Sequence, residues 1–167
     1  MSNPETVTAQ GAPALVSQQD ARLEKLLVPV DFSTESSIMV AHAVKLAKLA
    51  GARITLLHVV ELPRTEINPT VFAAIERIQT NVGALRERAQ SSLAAFGKEV
   101  RALGVECTEE VRTGIPYEEI LNAAEETAPD LIVIGHKGAS LLGRFLLGST
   151  TERVVRHARC SVLAVRG

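Results

Sequence analysis

A doubly wound α/β domain, built on a five-stranded parallel sheet flanked by helices, is the fold class this 167-residue sequence predicts. Three observations carry the expectation. Short, nearly continuous apolar runs recur along the chain, the clearest being Leu26-Leu27-Val28-Pro29-Val30, Ile54-Thr55-Leu56-Leu57-His58-Val59-Val60 and Leu131-Ile132-Val133-Ile134. Strands buried on both faces of a parallel sheet have that character. Between the runs lie stretches with apolar residues at steps of three and four, as helices crossing from one strand to the next require. Composition agrees: 46% of the residues are hydrophobic but only 3% aromatic, with no tryptophan, so the core is aliphatic and alanine-rich. The scarcity of aromatics argues against a base-stacking nucleic-acid surface.

Residues 1–22 are rich in Ser, Thr, Gln, Ala and Pro without periodicity and read as a flexible tail, leaving 23–167 as one domain. The first strand, 26–30, ends at Asp31-Phe32-Ser33, where Ser33 or Thr34 caps a helix. Ile38, Ala41, Val44 and Ala47 or Ala50 supply its stripe, and Gly51 is a C′ residue. The second strand is 54–60. Beyond it, one apolar stripe runs through Val71, Ile75, Ile78, Val82, Leu85, Ala89, Leu93, Phe96, Val100 and Leu103. Unbroken, that helix would be about 50 Å long at ~1.5 Å per residue, more than short strands can cover. Gly83 is therefore the expected break, with a helix over about 85–103 and a flap or second helix over 71–81. Gly104 ends the helix, and 105–111 is a weak third strand closed by Arg112-Thr113-Gly114. Pro116 then opens a helix with Glu118 and Glu119 in its first turn, where the dipole favours them, and Ile120, Leu121 and Ala124 as its buried stripe. Pro129-Asp130 leads into the strand at Leu131, and 161–165 gives a fifth strand.

The stretch from Leu131 to Thr151 concentrates the chemistry. An apolar strand stops at Gly135, Gly138 follows, and after nine more residues comes Gly148-Ser149-Thr150-Thr151. Glu152 stands three residues after Ser149, the spacing of a capping box in which Ser149 accepts from the N–H of Glu152. A glycine-punctuated loop feeding a helix N-terminus suits phosphate: the first N–H groups lack intrahelical partners, and the dipole places positive charge there. The plainer reading is an ordinary βα loop in which Ser149 only caps the helix. Neither a Walker A loop nor a G-x-G-x-x-G fingerprint occurs.

The spacing Gly135-x2-Gly138-x9-Gly148-Ser149 resembles the ATP-binding signature of the universal stress protein family. Val28-Pro29-Val30-Asp31-Phe32-Ser33 after the first strand and Leu57-His58-Val59 in the second match that family's pattern too, so the resemblance covers about Lys25 to the C-terminus. It implies the adenine nucleotide alpha hydrolase-like fold and the branch that binds ATP, with magnesium as the nucleotide's companion. By position, it implies that Pro29 and Asp31 lie at the ribose and adenine side and that the Val59 backbone reads the adenine edge. Ile134, Gly135, Gly138, Gly148, Ser149 and Thr150 would wrap the ribose and phosphates, and Lys137 would meet phosphate. One departure stands out: the family often has Ser or Thr followed by His or Arg after the first glycine, whereas this chain has His136-Lys137. The resemblance also implies a homodimer paired through the last strand, here 160–165, otherwise an open hydrophobic edge. Asp31 keeps a second reading, in which it only stabilises the following helix N-terminus.

The remaining features bound the function. From Leu131 onward six basic residues stand against Glu152 alone, although the whole chain carries a net charge of −1. That basic end fits a phosphate-bearing ligand, while Arg153, Arg156 and Arg159 read as the solvent face of the last helix. Cys107 and Cys160 form no C-x-x-C and read as reduced thiols. Residues 1–20 lack the basic and apolar regions of a secretory leader, and no apolar run approaches the ~18 residues of a membrane span; the expectation is a cytoplasmic protein. His42, His58, His136 and His157 show no ligand spacing, so no metal site is expected. No residue set reads as catalytic, which allows at most slow ATP hydrolysis. A nucleotide-gated stress-response module is the leading function. An interaction module of the same fold with an empty loop stays open beside it, as does an enzyme or electron-transfer subunit of the wider group.

Overall fold

The computed structural model describes residues 22–61, 72–136 and 147–166, with the backbone path alone for 72–81. Five strands form one sheet: β1 (Lys25–Pro29), β2 (Arg53–Glu61), β3 (Cys107–Gly114), β4 (Leu131–Gly135) and β5 (Ser161–Val165). Four helices alternate with them: α1 (Thr34–Ala50), α2 (Phe72–Ala102), α3 (Pro116–Thr127) and α4 (Ser149–His157). Every strand pairing is parallel and the order is β3-β2-β1-β4-β5. The chain thus lays β2 and β3 outward on one side of β1, returns, and lays β4 and β5 on the other. The order reverses between β1 and β4, which is where an open α/β sheet leaves a crevice beyond its strand ends.

The apolar runs become the buried layer because a central parallel strand has helices on both faces. Leu26, Val28, Ile54 and Leu56 join Met39, Ala43, Leu93 and Val100 in one core, on the side of α1 and α2. Leu27, Leu57, Ile132 and Ile134 join Ile120, Ala123 and Val154 in the other, on the side of α3 and α4. Successive residues of β1 alternate between the two cores, as the period of two demands.

Three expectations need correction. The buried face of α1 is Ser36, Met39, Val40, Ala43, Val44 and Ala47, while Ala41 is exposed and Ile38 is 39% exposed. The rotation is set at the N-terminus: Ser33 caps the helix, and Asp31 grips the Ser36 hydroxyl from below. Gly83 does not break the second helix, which runs unbroken through 31 residues, so 72–81 form its opening turns rather than a flap; Val71 lies outside the described residues. An interior glycine costs only about 1 kcal/mol against alanine. Burial of Ala89, Leu93 and Val100 in the later turns offsets that. Finally, Ser149 is the first residue of α4 and not its cap. Gly148 holds the N-cap position, no side chain caps the helix, and Glu152 donates its N–H to the Gly148 carbonyl at 2.8 Å.

Smaller adjustments follow the same logic. Strand β3 continues through Arg112 and Thr113 to Gly114 because β2 pairs with it as far as Glu61. In α3, Ile120 and Ala123 are buried, while Leu121 and Ala124 are half-buried. Gly51 ends α1 in the left-handed region, as the sequence predicts.

Candidate functional site

The turn after β1 forms one wall of the crevice. Val30 donates its N–H to the Leu57 carbonyl at 2.8 Å, extending the β1–β2 ladder one residue past the strand. Asp31-Phe32-Ser33 then swings the chain into α1, and the swing puts Phe32 at φ 60. That left-handed conformation costs a residue with a Cβ about 1–2 kcal/mol. Ring packing offsets it: Phe32 stacks on His58 with centroids 4.3 Å apart and meets Phe96 of α2 at 6.0 Å. Nδ1 of His58 lies 2.8 Å from the Val30 carbonyl. A carbonyl can only accept, so Nδ1 carries the proton.

The Asp31 carboxylate is tied into the first turn of α1. Its Oδ1 accepts from the Ser33 N–H at 3.1 Å and from the hydroxyls of Ser33 and Ser36, both at 2.5 Å. The Asp31 N–H donates in turn to the Ser36 hydroxyl at 3.0 Å, and the Ser33 hydroxyl accepts the Ser36 N–H at 3.2 Å. The helix-stabilising reading of Asp31 is thus observed. It does not withdraw the residue from the surface, because Asp31 remains exposed at the strand end while Ser36 is buried beneath it.

The other wall is formed by the end of β4 and the start of α4. His136 donates its N–H to the Val165 carbonyl at 2.7 Å, and Gly148 donates to the His136 carbonyl at 2.9 Å. The first bond ties the end of β4 to β5, and the second brings Gly148, just ahead of α4, back to the end of β4. Thr151, only 3% exposed, donates its hydroxyl to the Gly135 carbonyl at 2.7 Å and fastens the helix onto the strand. The anchor shifts the helix start: with Gly148 already bound to His136, Ser149 enters the first turn and leaves the capping position to the glycine.

The structure therefore gathers most of the sequence-predicted residues at one end of the sheet. Pro29 ends β1, and Ile134 and Gly135 end β4 beside it. Gly148, Ser149 and Thr150 open α4 next to Gly135. Val59 lies on β2 two residues past Leu57, the register partner of Pro29. Alternation turns the N–H and C=O of Val59 the same way as those of Leu57, toward β1, beyond the point where the β1 ladder stops. Lys137 and Gly138 lie outside the described residues. Thr151, Ser36 and the Phe32–His58 stack escaped the sequence reading. The hydroxyls at Thr151 and Ser36 were visible, but their carbonyl and carboxylate partners are set by the fold.

The charges near the crevice are partly occupied. Arg153 lies over the Tyr117 ring at 4.5 Å, Arg156 pairs with Glu152 at 2.9 Å, and Arg159 faces Glu125 at 3.4 Å. Arg153 and Arg156 are exposed on α4, as the sequence suggested, whereas Arg159 lies beyond the helix, in the turn that leads to β5. Among the described residues no group of three or more His, Cys, Asp or Glu could hold a metal ion. No helix among them is long and apolar enough to cross a membrane. At the opposite end of the sheet, Arg22, Glu24, Lys48, Arg53 and Glu106 border an open groove of about 760 Å³, which none of the residues of the crevice lines.

Comparison with known proteins now identifies the family. The universal stress protein family model matches residues 22–166. Universal stress protein MJ0531 of Methanocaldococcus jannaschii is 34% identical over 144 residues, covering 86% of this chain and 82% of that protein. Among solved structures, universal stress protein UspA from Lactobacillus plantarum is 30% identical with a TM-score of 0.77, covering 87% of this chain and 99% of its own. Protein MJ0577 of Methanocaldococcus jannaschii is 29% identical with a TM-score of 0.76, covering 87% and 97%. More distant structures share the fold at a TM-score of 0.59. One is a universal stress protein in complex with cAMP, 24% identical, and another is from Archaeoglobus fulgidus in complex with dAMP, 22% identical. The chain belongs to the universal stress protein family.

Proposed function

We propose that this universal stress protein binds an adenine nucleotide, ATP with magnesium as its companion, in the crevice between β1 and β4, and acts as a nucleotide-dependent regulatory module. The observation that carries the reading is convergence: Asp31, the Val59 backbone, Gly135 and the N-terminus of α4 meet at the carboxyl ends of β1, β2 and β4, beside the reversal of strand order. Each has fitting chemistry. Asp31 accepts from ribose hydroxyls, and the Val59 backbone meets the adenine edge. Pro29 and Ile134 supply apolar walls. Gly148 brings backbone close to phosphate, and Ser149 and Thr150 offer hydroxyls and first-turn N–H groups. Lys137 and Gly138, by their place in the family signature, complete the phosphate side. Proteins of this fold that hold cAMP or dAMP make an adenine ligand reasonable in kind.

The domain at 23–167 acts in the cytoplasm as a homodimer in this reading, paired through β5. Support comes from the edge itself: Leu163 and Ala164 are exposed on an outermost strand with no charge in its sequence SVLAV.

The test is to denature freshly purified protein, identify any released nucleotide by chromatography and mass, and repeat with Gly148→Val. Adenine nucleotide from the wild type and none from the variant is the expected result. If both are empty, the wild type is titrated with ATP and magnesium. Absence of binding at millimolar ligand would end the nucleotide reading and leave the dimeric interaction module.

A further inference from the structure

We propose that Phe32 and His58 are a positioning pair for the Asp31 carboxylate: the His58 ring, anchored on the Val30 carbonyl, holds Phe32 in its left-handed conformation and so fixes where Asp31 stands at the crevice. The inference rests on the nucleotide reading above and adds the residues that set the geometry of its ribose side.

Four observations meet at this point. Phe32 occupies φ 60, a conformation glycine adopts freely and phenylalanine does not. Its ring lies against His58 at 4.3 Å with planes inclined by 28°, and against Phe96 at 6.0 Å. The His58 ring is held in turn by its own hydrogen bond to Val30, two residues upstream of Phe32. Asp31, between those two anchored positions, then closes the ring of bonds with Ser33 and Ser36.

A residue serving only to let the chain turn would be better as glycine. A side chain serving only to fill the core would need no ring N–H aimed at Val30. Together the pair clamps the β1–α1 turn to β2 and α2, so the carboxylate is ordered before any ligand arrives. Preorganisation of this kind spares the ligand the cost of ordering the loop.

The substitutions separate the roles. His58→Asn keeps a donor near the Nδ1 position but removes the stacking ring, whereas His58→Phe keeps a ring and removes the donor. Phe32→Gly frees the turn, and Asp31→Asn with Asp31→Asn/Phe32→Gly completes a double-mutant cycle. Each protein is first checked for cooperative unfolding. Amide hydrogen exchange at Asp31 and Ser33 is then measured without nucleotide, and ATP affinity by calorimetry with magnesium.

Phe32→Gly and both His58 variants are expected to speed exchange at those two amides and to weaken ATP about tenfold. The double variant should bind no more weakly than Asp31→Asn alone, because Phe32 acts through Asp31. Unchanged exchange, or additive losses of affinity in the cycle, would overturn the positioning role. A wild type that binds no ATP would remove the ribose assignment itself. The exchange data would still decide whether the pair orders the carboxylate, so the two failures are distinguishable.

Discussion

Strand β3 closes one side of the sheet with the sequence CTEEVRTG, and β5 closes the other with SVLAV. Both are outermost strands with backbone groups facing away from the sheet, yet they meet that condition differently. On β3, Arg112 carries a guanidinium bonded to Glu110 at 2.6 Å and to Glu126 of α3 at 2.5 Å. Glu109 takes the Arg101 guanidinium of α2 at 2.6 Å. Charge thus discourages pairing with another chain and latches both neighbouring helices onto the strand. On β5 there is no charge, Val162 is half-buried, and Leu163 is 38% exposed. An edge meant for water is blunted with charge, and one left apolar and open invites a second strand. The asymmetry teaches that the two halves of the doubly wound sheet are finished for different surroundings.

The largest expected effect tests that contrast directly. In our reading the wild type runs as a dimer by light scattering, and Leu163→Lys halves its mass by placing a charge in the strand pairing. Thr108→Lys, an equivalent charge on the β3 edge, should leave the mass unchanged. A wild type that stays monomeric at tens of micromolar would break the comparison.

Next comes Arg112→Ala. The Arg112 side chain is only 14% exposed and lies within 3.9 Å of Glu119 as well as bonding Glu110 and Glu126, so its loss leaves three carboxylates without their shared cation. A destabilisation of about 1–2 kcal/mol in urea unfolding is expected, kept modest because the carboxylates reach solvent. The same ion pairing holds the Glu126 carboxyl below its usual range, by hydrogen bonding to Arg112 first and by its charge second. A lowered carboxylate pKa stabilises the fold above the unfolded value near 4.5, and that contribution is lost as pH falls through the folded value. Acid unfolding of the wild type should therefore lose its Arg112-dependent part below about pH 4.5.

Two glycines of α2 sharpen the account of the β3 edge. A Cβ at Gly97 would run into the Glu109 carboxylate, whereas one at Gly83 meets nothing within 4 Å. Gly83→Ala should stabilise by about 0.5–1 kcal/mol through helix propensity alone. Gly97→Ala should instead destabilise by about 1 kcal/mol, because Glu109 must leave Arg101, and adding Glu109→Ala should reverse the sign. Equal effects at the two glycines in thermal unfolding would show that the approach of α2 to β3 is not tight.

The smallest effect concerns the thiols. Cys107 on β3 is buried, and burial first, then the Glu109 charge, pushes its pKa up to about 11. Cys160, just ahead of β5, is raised too, chiefly by burial, but is only half-buried. At pH 8, iodoacetamide should label Cys160 while Cys107 reacts only through unfolding. Leu163→Lys should speed the Cys160 reaction by opening the edge. Because the folded pKa of Cys107 lies above its ordinary value of 9.0, its contribution to stability is full below that pH. It is lost as pH rises toward 11, which alkaline unfolding monitors.

Much of the fold was legible because its signals are local. A parallel strand buried on two faces writes an apolar run, as in Leu131-Ile132-Val133-Ile134, and Gly51 and Pro116 mark helix boundaries by backbone conformations other residues avoid. The strand ends that border the crevice were legible for the same reason. Where the reading failed, a distant partner decided. Gly83 looked like a break because the sequence does not show how well the later turns of α2 pack. Ser149 looked like a cap because the bond from Gly148 to His136 joins residues far apart in the sequence. The stripe of α1 held at Val44 and Ala47 but missed at Ile38 and Ala41, because Asp31 grips Ser36 and turns Met39 and Val40 inward.

The sequence by itself thus determined the element order, the parallel sheet and the glycine-punctuated strand ends, since period and turn chemistry act over a few neighbouring residues. Only the tertiary structure decided which strands became the edges, which hydroxyls were buried, and how Phe32 came to sit left-handed against His58. Those outcomes depend on contacts between residues far apart in the chain, whose free energy exists only once the sheet has assembled.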